Sequence, residues 1–257
     1  MILHGHKGLH IGAIGLRIGF GTSHKCPDLK AYGKEVWLRP LHEANGNWYS
    51  WGVGTSGAGN TDSNVIAAWK HIVQIFRDSS VSNVKWVWTT NASNSGTGSS
   101  LMGAYPGDDW VDYNSIDGYN WGTSQSWSKW QTFTQVFSPA YTLLAAHNIP
   151  IFIPEFASSE LGGSKAQWIQ NMFNVLPTSF PKIFALMWFN QSSDADWAVN
   201  TSDSSLQAWK AGIANASSAV IKTTRAPVQN TSANHMDALG RIENKYFTNH
   251  FGVLYAK

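Results

Sequence analysis

The chain has 257 residues, of which 43% are hydrophobic and only 13% charged, with a formal net charge of +2. That balance, with no basic stripe, argues against nucleic acid or an anionic membrane surface as the partner, and no apolar run reaches the ~18–20 residues of a membrane span. Cys26 is the only cysteine, which excludes an internal disulfide framework and any paired-cysteine metal site. The excess is aromatic: 14 Trp, 8 Tyr and 12 Phe. Tryptophan joins a flat apolar face to one N–H donor, and a sugar ring offers an apolar C–H face rimmed by hydroxyls, so the two surfaces match. Most of these rings are nonetheless expected in the core.

Taken in chain order, residues 1–30 offer only "LHIGAIGLRIGF", a weak alternation broken by glycine, and remain unassigned. They lack a charged start, an apolar middle and a small-residue cleavage site, so no secretory leader is legible there. "EVWLRPLHE" reads as a strand running to Glu43. Thr61-Asp62-Ser63 offers a helix N-cap, and Val65, Ile66, Trp69, Ile72, Val73 and Phe76 then recur at helical spacing. "VKWVW" (84–88) and "YNSID" (113–117) read as strands, and a helical stripe carries Trp130, Phe133, Val136, Phe137, Tyr141 and Leu144. "IPIFIPE" (149–155) is a buried strand ending at Glu155, and Ser164 with Gln167 marks a helix start. "IFALMWF" (183–189) is the last clear strand, and Leu206, Trp209 and Ile213 mark a final helix. Residues 219–257 read as an unassigned polar tail.

Strand then helix, repeated, predicts an α/β fold with a parallel sheet and helical crossovers. About five such units are visible, whereas a closed (β/α)8 barrel has eight. The unusual polar residues cluster at the C-terminal ends of strands, where α/β folds place their sites. "RPLHEANGNWYSWG" surrounds one carboxylate, Glu43, with a histidine, two asparagines and several aromatics. If side chains alternate along the strand, Arg39, Leu41 and Glu43 share one face, as do Ile151, Ile153 and Glu155. Two carboxylates facing one pocket are what glycosidic bond cleavage requires. Each glutamate taken alone could equally make a salt bridge or cap a loop. Asp108, Asp109 and Asp112 read as loop and helix-start residues, and Glu160 as a loop neighbour of Glu155 with no catalytic part.

"RPLHEANGNWYSWG" resembles the acid/base signature of glycoside hydrolase family 26, and "NVKWVWTTN", "YPGDDWVDYNSIDGYNWG", "IPIFIPEFASSELGG" and "ALMWFN" follow in that family's order. The resemblance covers about residues 30–215, so 31–218 is expected to be a glycoside hydrolase barrel region. It implies a TIM-type barrel whose first three strand–helix units have no counterpart here. It implies Glu43 as acid/base and Glu155 as nucleophile in a retaining mechanism. It implies substrate contacts from His42, Trp48, Asp117, Tyr119 and Trp188, with Tyr119 bonded to the nucleophile and Trp188 flooring the sugar. Asp117 could alternatively serve as an acceptor for Arg39, and His42 could serve only in packing. No metal or organic cofactor is implied. The partner implied is a polysaccharide outside the cell, β-1,4-mannan foremost. Mixed-linkage β-glucan, β-1,3-xylan, and a truncated relative that binds glycans without cutting them are the alternatives.

Overall fold

The computed structural model describes residues 22–224 together with the short strands 2–4, 10–12 and 254–256. Strands β1 (Ile2–His4) and β2 (His10–Gly12) precede helix α1 (Thr22–Tyr32). Then β3 (Val36–Leu38), α2 (Asp62–Asp78), β4 (Val84–Asn91), β5 (Tyr113–Asn120), α3 (Phe133–Leu144), β6 (Ile151–Ser158), α4 (Lys165–Ser179), β7 (Ile183–Trp188), α5 (Asp203–Thr224) and β8 (Leu254–Ala256) follow. The sheet order is β2-β1-β3-β4-β5-β6-β7-β8. The five strands β3 to β7 are the parallel set that the sequence predicts, the fold being α/β. On the β3 side, Val36 pairs with Val84 and Leu38 with Trp86 in parallel register; Val87 pairs with Tyr113 and Asn91 with Asp117.

Residues 1–30, unassigned from sequence, supply an antiparallel hairpin whose β1 pairs along β3, Ile2 opposite Leu38. The tail supplies β8, antiparallel to β7 with Leu186 opposite Tyr255. Both strands lie where a five-strand parallel set would otherwise present unpaired N–H and C=O groups.

The chain divides into two compact units, the described parts of Met1–Asp117 with Pro139–Phe152, and of Gly118–Ser138 with Ile153–Lys257. In the first, Thr61 caps α2 by accepting from the Asn64 amide at 3.2 Å. The helix buries Val65, Trp69, Ile72, Val73 and Phe76. Full burial of one such side chain stabilises by roughly 1.5–3 kcal/mol, so the stripe contributes on the order of 10 kcal/mol before chain entropy is counted. Trp86 of β4 receives Phe76 edge-on at 5.1 Å between ring centroids and Trp69 at 6.4 Å.

In the second unit, Ser164 caps α4 by accepting from the Gln167 amide at 3.3 Å. Phe156, Trp168, Trp188 and Trp209 form an aromatic core, with centroids 5.1 Å apart for Phe156–Trp188 and 5.4 Å for Trp188–Trp209. Helices α4 and α5 approach closely at Gly212, where a methyl group would overlap the Phe173 ring.

Candidate active site

The strand expected to reach Glu43 stops at Leu38. Pro40 has no N–H to give a neighbouring strand, and beyond it Leu41 and Glu43 adopt left-handed backbone, with φ of 48° and 55°. Arg39, Leu41 and Glu43 therefore do not alternate along one strand face; the sequence-based placement of Glu43 on such a face is corrected. A non-glycine residue in this region costs on the order of 1 kcal/mol. The turn offsets that cost with backbone bonds from Glu43 N to Thr89 O at 3.0 Å and from Gly46 N to Glu43 O at 2.9 Å.

Glu43 is buried, with 5% of its surface exposed. Asn91 Nδ2 donates to its Oε1 at 2.6 Å, and Trp48 Nε1 donates to its Oε2 at 2.8 Å. The Asn91 amide cannot be turned round, because its Oδ1 accepts from Ser93 N at 3.0 Å and Ser93 Oγ at 3.1 Å. Asn45 fixes Asn91 from behind: Asn45 Oδ1 accepts from Asn91 N at 2.8 Å and Asn45 Nδ2 donates to Asn91 O at 2.9 Å. Trp48, 46% exposed, lays its indole over Gly46. A Cβ at Gly46 would sit 2.5–2.7 Å from three indole carbons, so only glycine lets the ring lie there.

His42 packs against Tyr49 at 4.6 Å and Trp51 at 5.6 Å between centroids. Burial, followed by the nearby Arg39 cation, lowers its pKa to about 2, so the ring is neutral at ordinary pH. Its backbone carbonyl accepts from Trp51 Nε1 at 2.8 Å. Asp117 has no exposed surface and is paired with Arg39 at 2.5 Å, Arg39 itself being 1% exposed. In place of the direct sugar contact expected of it, Asp117 takes the second role that the sequence allowed.

Along β6, which belongs to the second unit from Ile153 onward, every residue is buried except Glu155. In β5, beyond its first residue, the one position not fully buried is Tyr119. These two meet: Tyr119 Oη donates to Glu155 Oε2 at 3.0 Å. Tyr119 is flanked by Trp197 at 5.0 Å, Phe189 at 5.6 Å and Trp121 at 6.2 Å. Trp188 does not present a face to a ligand. It is 1% exposed, walled by Phe156, Trp168 and Trp209, and its Nε1 donates to Trp197 O at 2.6 Å. The expectation of a sugar floor at Trp188 is corrected, because α4 and α5 supply the rings that close over it. Glu160 accepts from Thr201 Oγ1 and Ser202 Oγ, both at 2.8 Å, in a separate cluster. Asp108 and Asp109 lie in a short 3-10 turn, Asp108–Trp110, and Asp112 accepts from the Trp86 amide at 2.7 Å.

Sequence reasoning gave no role to Asn91, Trp121 or Trp197, and met Asn45 only as one of the two asparagines around Glu43. Asn91 carried a readable signal, since Thr89-Thr90-Asn91 turns an apolar strand polar at its C-terminal end. Among the described residues, no group of three or more His, Cys, Asp or Glu could hold a metal ion.

The family model for glycosyl hydrolase family 26 matches residues 23–168. The chain belongs to glycosyl hydrolase family 26. It is 55% identical over 192 residues to endoglucanase H of Acetivibrio thermocellus, covering 74% of this chain and 21% of that protein. It is 26% identical over 177 residues to a mannan endo-1,4-beta-mannosidase of Bacillus subtilis, covering 65% of this chain and 42% of that protein. A solved family 26 structure from a Muricauda species superposes with a TM-score of 0.52 at 17% identity, covering 75% of this chain and 55% of that one. That likeness concerns the fold. The chain thus spans between about a fifth and just over half of these proteins' lengths.

Proposed function

We propose that the chain is an endo-acting, retaining glycoside hydrolase that cuts a β-linked polysaccharide, with Glu155 as nucleophile and Glu43 as acid/base. The observation that carries this reading is that each carboxylate is held by dedicated side-chain donors, Asn91 and Trp48 for Glu43 and Tyr119 for Glu155. A carboxylate oxygen has two lone-pair directions. The Asn91 amide N–H and the Trp48 indole N–H each take one such direction on Glu43 and can only donate, so neither accepts the proton that Glu43 carries. In the first step an anionic Glu155 oxygen attacks the anomeric carbon, the glycosidic C–O bond breaks, and Glu43 gives its proton to the departing oxygen. In the second, water attacks the same carbon, Glu43 takes a proton from it, and the ester bond to Glu155 breaks. The Tyr119 hydroxyl holds Glu155 in position for attack on one side of the sugar.

The relatives' names favour two substrates. The 55% identity to endoglucanase H supports β-glucan as the leading one. The mannosidase names at lower identity support β-1,4-mannan. His42, packed and neutral, shapes the Glu43 turn in this reading, and Trp48 adds an open indole face beside it. Polysaccharides are too large to enter a cell intact, which supports action outside it. No helix among the described residues is long and apolar enough to cross a membrane.

The test compares Glu155→Ala and Glu43→Ala on polysaccharide and on an activated aryl glycoside. Glu155→Ala loses turnover on both. Glu43→Ala loses about 10²–10⁴-fold on polysaccharide, whose leaving group needs the proton, and far less on the aryl glycoside in its first step. Equal loss on both substrates would contradict the role given to Glu43. Binding of polysaccharide by the wild-type chain with no release of reducing ends would replace hydrolysis by glycan binding.

A further inference from the structure

Trp127 is the most open large apolar side chain among the described residues, with 71% of its surface exposed. Leaving an indole in water forfeits burial that would stabilise the fold by a few kcal/mol, and such a group is informative where its surroundings hold it in place. Here they do. Ser128 Oγ donates to Gly122 O at 2.8 Å and accepts from Gln125 N at 3.2 Å, which closes the loop beneath the ring. Gln125 Nε2 donates to Asp194 O at 3.1 Å, and Thr123 N to Leu161 O at 3.0 Å, which tie the loop to two neighbouring segments of the same unit. Gly122 takes a φ of 55°, and any side chain there would collide with Leu161 O. Trp121 meets Trp127 at 5.2 Å between centroids, at 60°, and meets Trp197 edge-on at 4.7 Å. The rings therefore run continuously from Trp127 through Trp121 to Tyr119, whose hydroxyl bonds Glu155.

We propose that Trp127, braced by Trp121, is a sugar-binding platform on which one pyranose of the β-linked glycan stacks, away from the unit bound at Glu155. It deepens the hydrolase reading and rests on it for the identity of the glycan. The chemistry of the loop selects this occupant. The segment Trp121–Ser128 is WGTSQSWS, with hydroxyl and amide groups and no charge. Apart from the exposed Lys129 that follows it, this stretch offers an anionic ligand no cation, whereas a neutral polyol finds an apolar face with hydrogen-bonding groups on either side. The bracing matters because a ring already fixed loses little freedom when a sugar settles on it.

The test uses the full chain carrying Glu155→Ala, so that the probe survives, with hexasaccharides from mixed-linkage β-glucan and β-1,4-mannan and the corresponding disaccharides. Calorimetry and tryptophan fluorescence report binding. Trp127→Ala is expected to weaken hexasaccharide binding about tenfold, to affect disaccharides less, and to leave the circular dichroism spectrum and Tm in place. Trp127→Tyr restores most of the affinity. In the active chain the loss falls mainly on KM for polysaccharide. Hexasaccharide affinity and KM unchanged by Trp127→Ala, with wild-type hydrolysis intact, overturn the platform and leave the hydrolase standing. Weakened binding by Trp127→Ala in a chain that hydrolyses nothing keeps the platform and removes the hydrolase. Concentration-dependent self-association that Trp127→Ala abolishes, with glycan binding unchanged, assigns the ring to contact between copies and also overturns it.

Discussion

A carboxylate that must give and later take a proton has to be held without being neutralised by a fixed cation. Two of the donors that hold Glu43, an amide and an indole, are neutral, and Arg39 pairs with Asp117. His42 adds no charge either, because burial and then Arg39 keep it unprotonated down to about pH 2 against an ordinary value of 6.5. The sign of its effect on stability follows. Between those two values the unfolded chain binds a proton that folded His42 does not, so stability falls as pH drops through that window. Replacing His42 with Asn removes this contribution. Wild-type protein should lose about 2 kcal/mol more than His42→Asn between about pH 7 and about pH 5, as read from urea unfolding midpoints. Identical slopes for the two proteins would mean that His42 is open to protonation in the folded state.

Elements set which residues reach water. The helical stripe of α2 was legible from its period because its five buried residues face one side. The stripe ending in α3 was legible in part: the helix starts at Phe133, and Trp130 lies before it, packed over Gly163 instead. The end of β3 was not legible. "VWLRPLHE" keeps an alternating pattern through Pro40, and the turn that follows depends on Thr89 and Asn91 of β4, more than 40 positions away. Trp188 misled for a related reason. A strand-terminal aromatic looks the same in sequence whether or not a later helix covers it, and here α4 and α5 do, with Trp168 and Trp209. The Glu43 turn gives a sharp test of packing. Gly46→Ala forces the Trp48 indole off its seat and removes one donor from Glu43. Hydrolysis should fall on the order of tenfold, matched by Trp48→Phe, with little change in Tm; a Gly46→Ala chain with wild-type kcat/KM would show that the Trp48 bond is dispensable.

For the molecule as a whole, the family and the fold class follow from the match, and the substrate order is read by assay. The 192 residues aligned with endoglucanase H make up 21% of that protein. Assayed side by side, mixed-linkage β-glucan should be cut faster than β-1,4-mannan, and β-1,3-xylan least. Proton NMR of the first product should show the β-anomer before mutarotation, as a double displacement requires; the α-anomer would mean a single displacement and a different part for Glu155. The hairpin and tail strands at the sheet edges were not legible beyond a weak alternation near the start, because three-residue strands carry almost no periodicity. The left-handed backbone at position 43 also has a cost at this scale. A residue with no side chain would rest there more comfortably than glutamate does. Among variants at that site, the sturdiest protein is therefore expected to be the one least able to break a glycan, and screening for heat resistance alone would steer toward an inert chain.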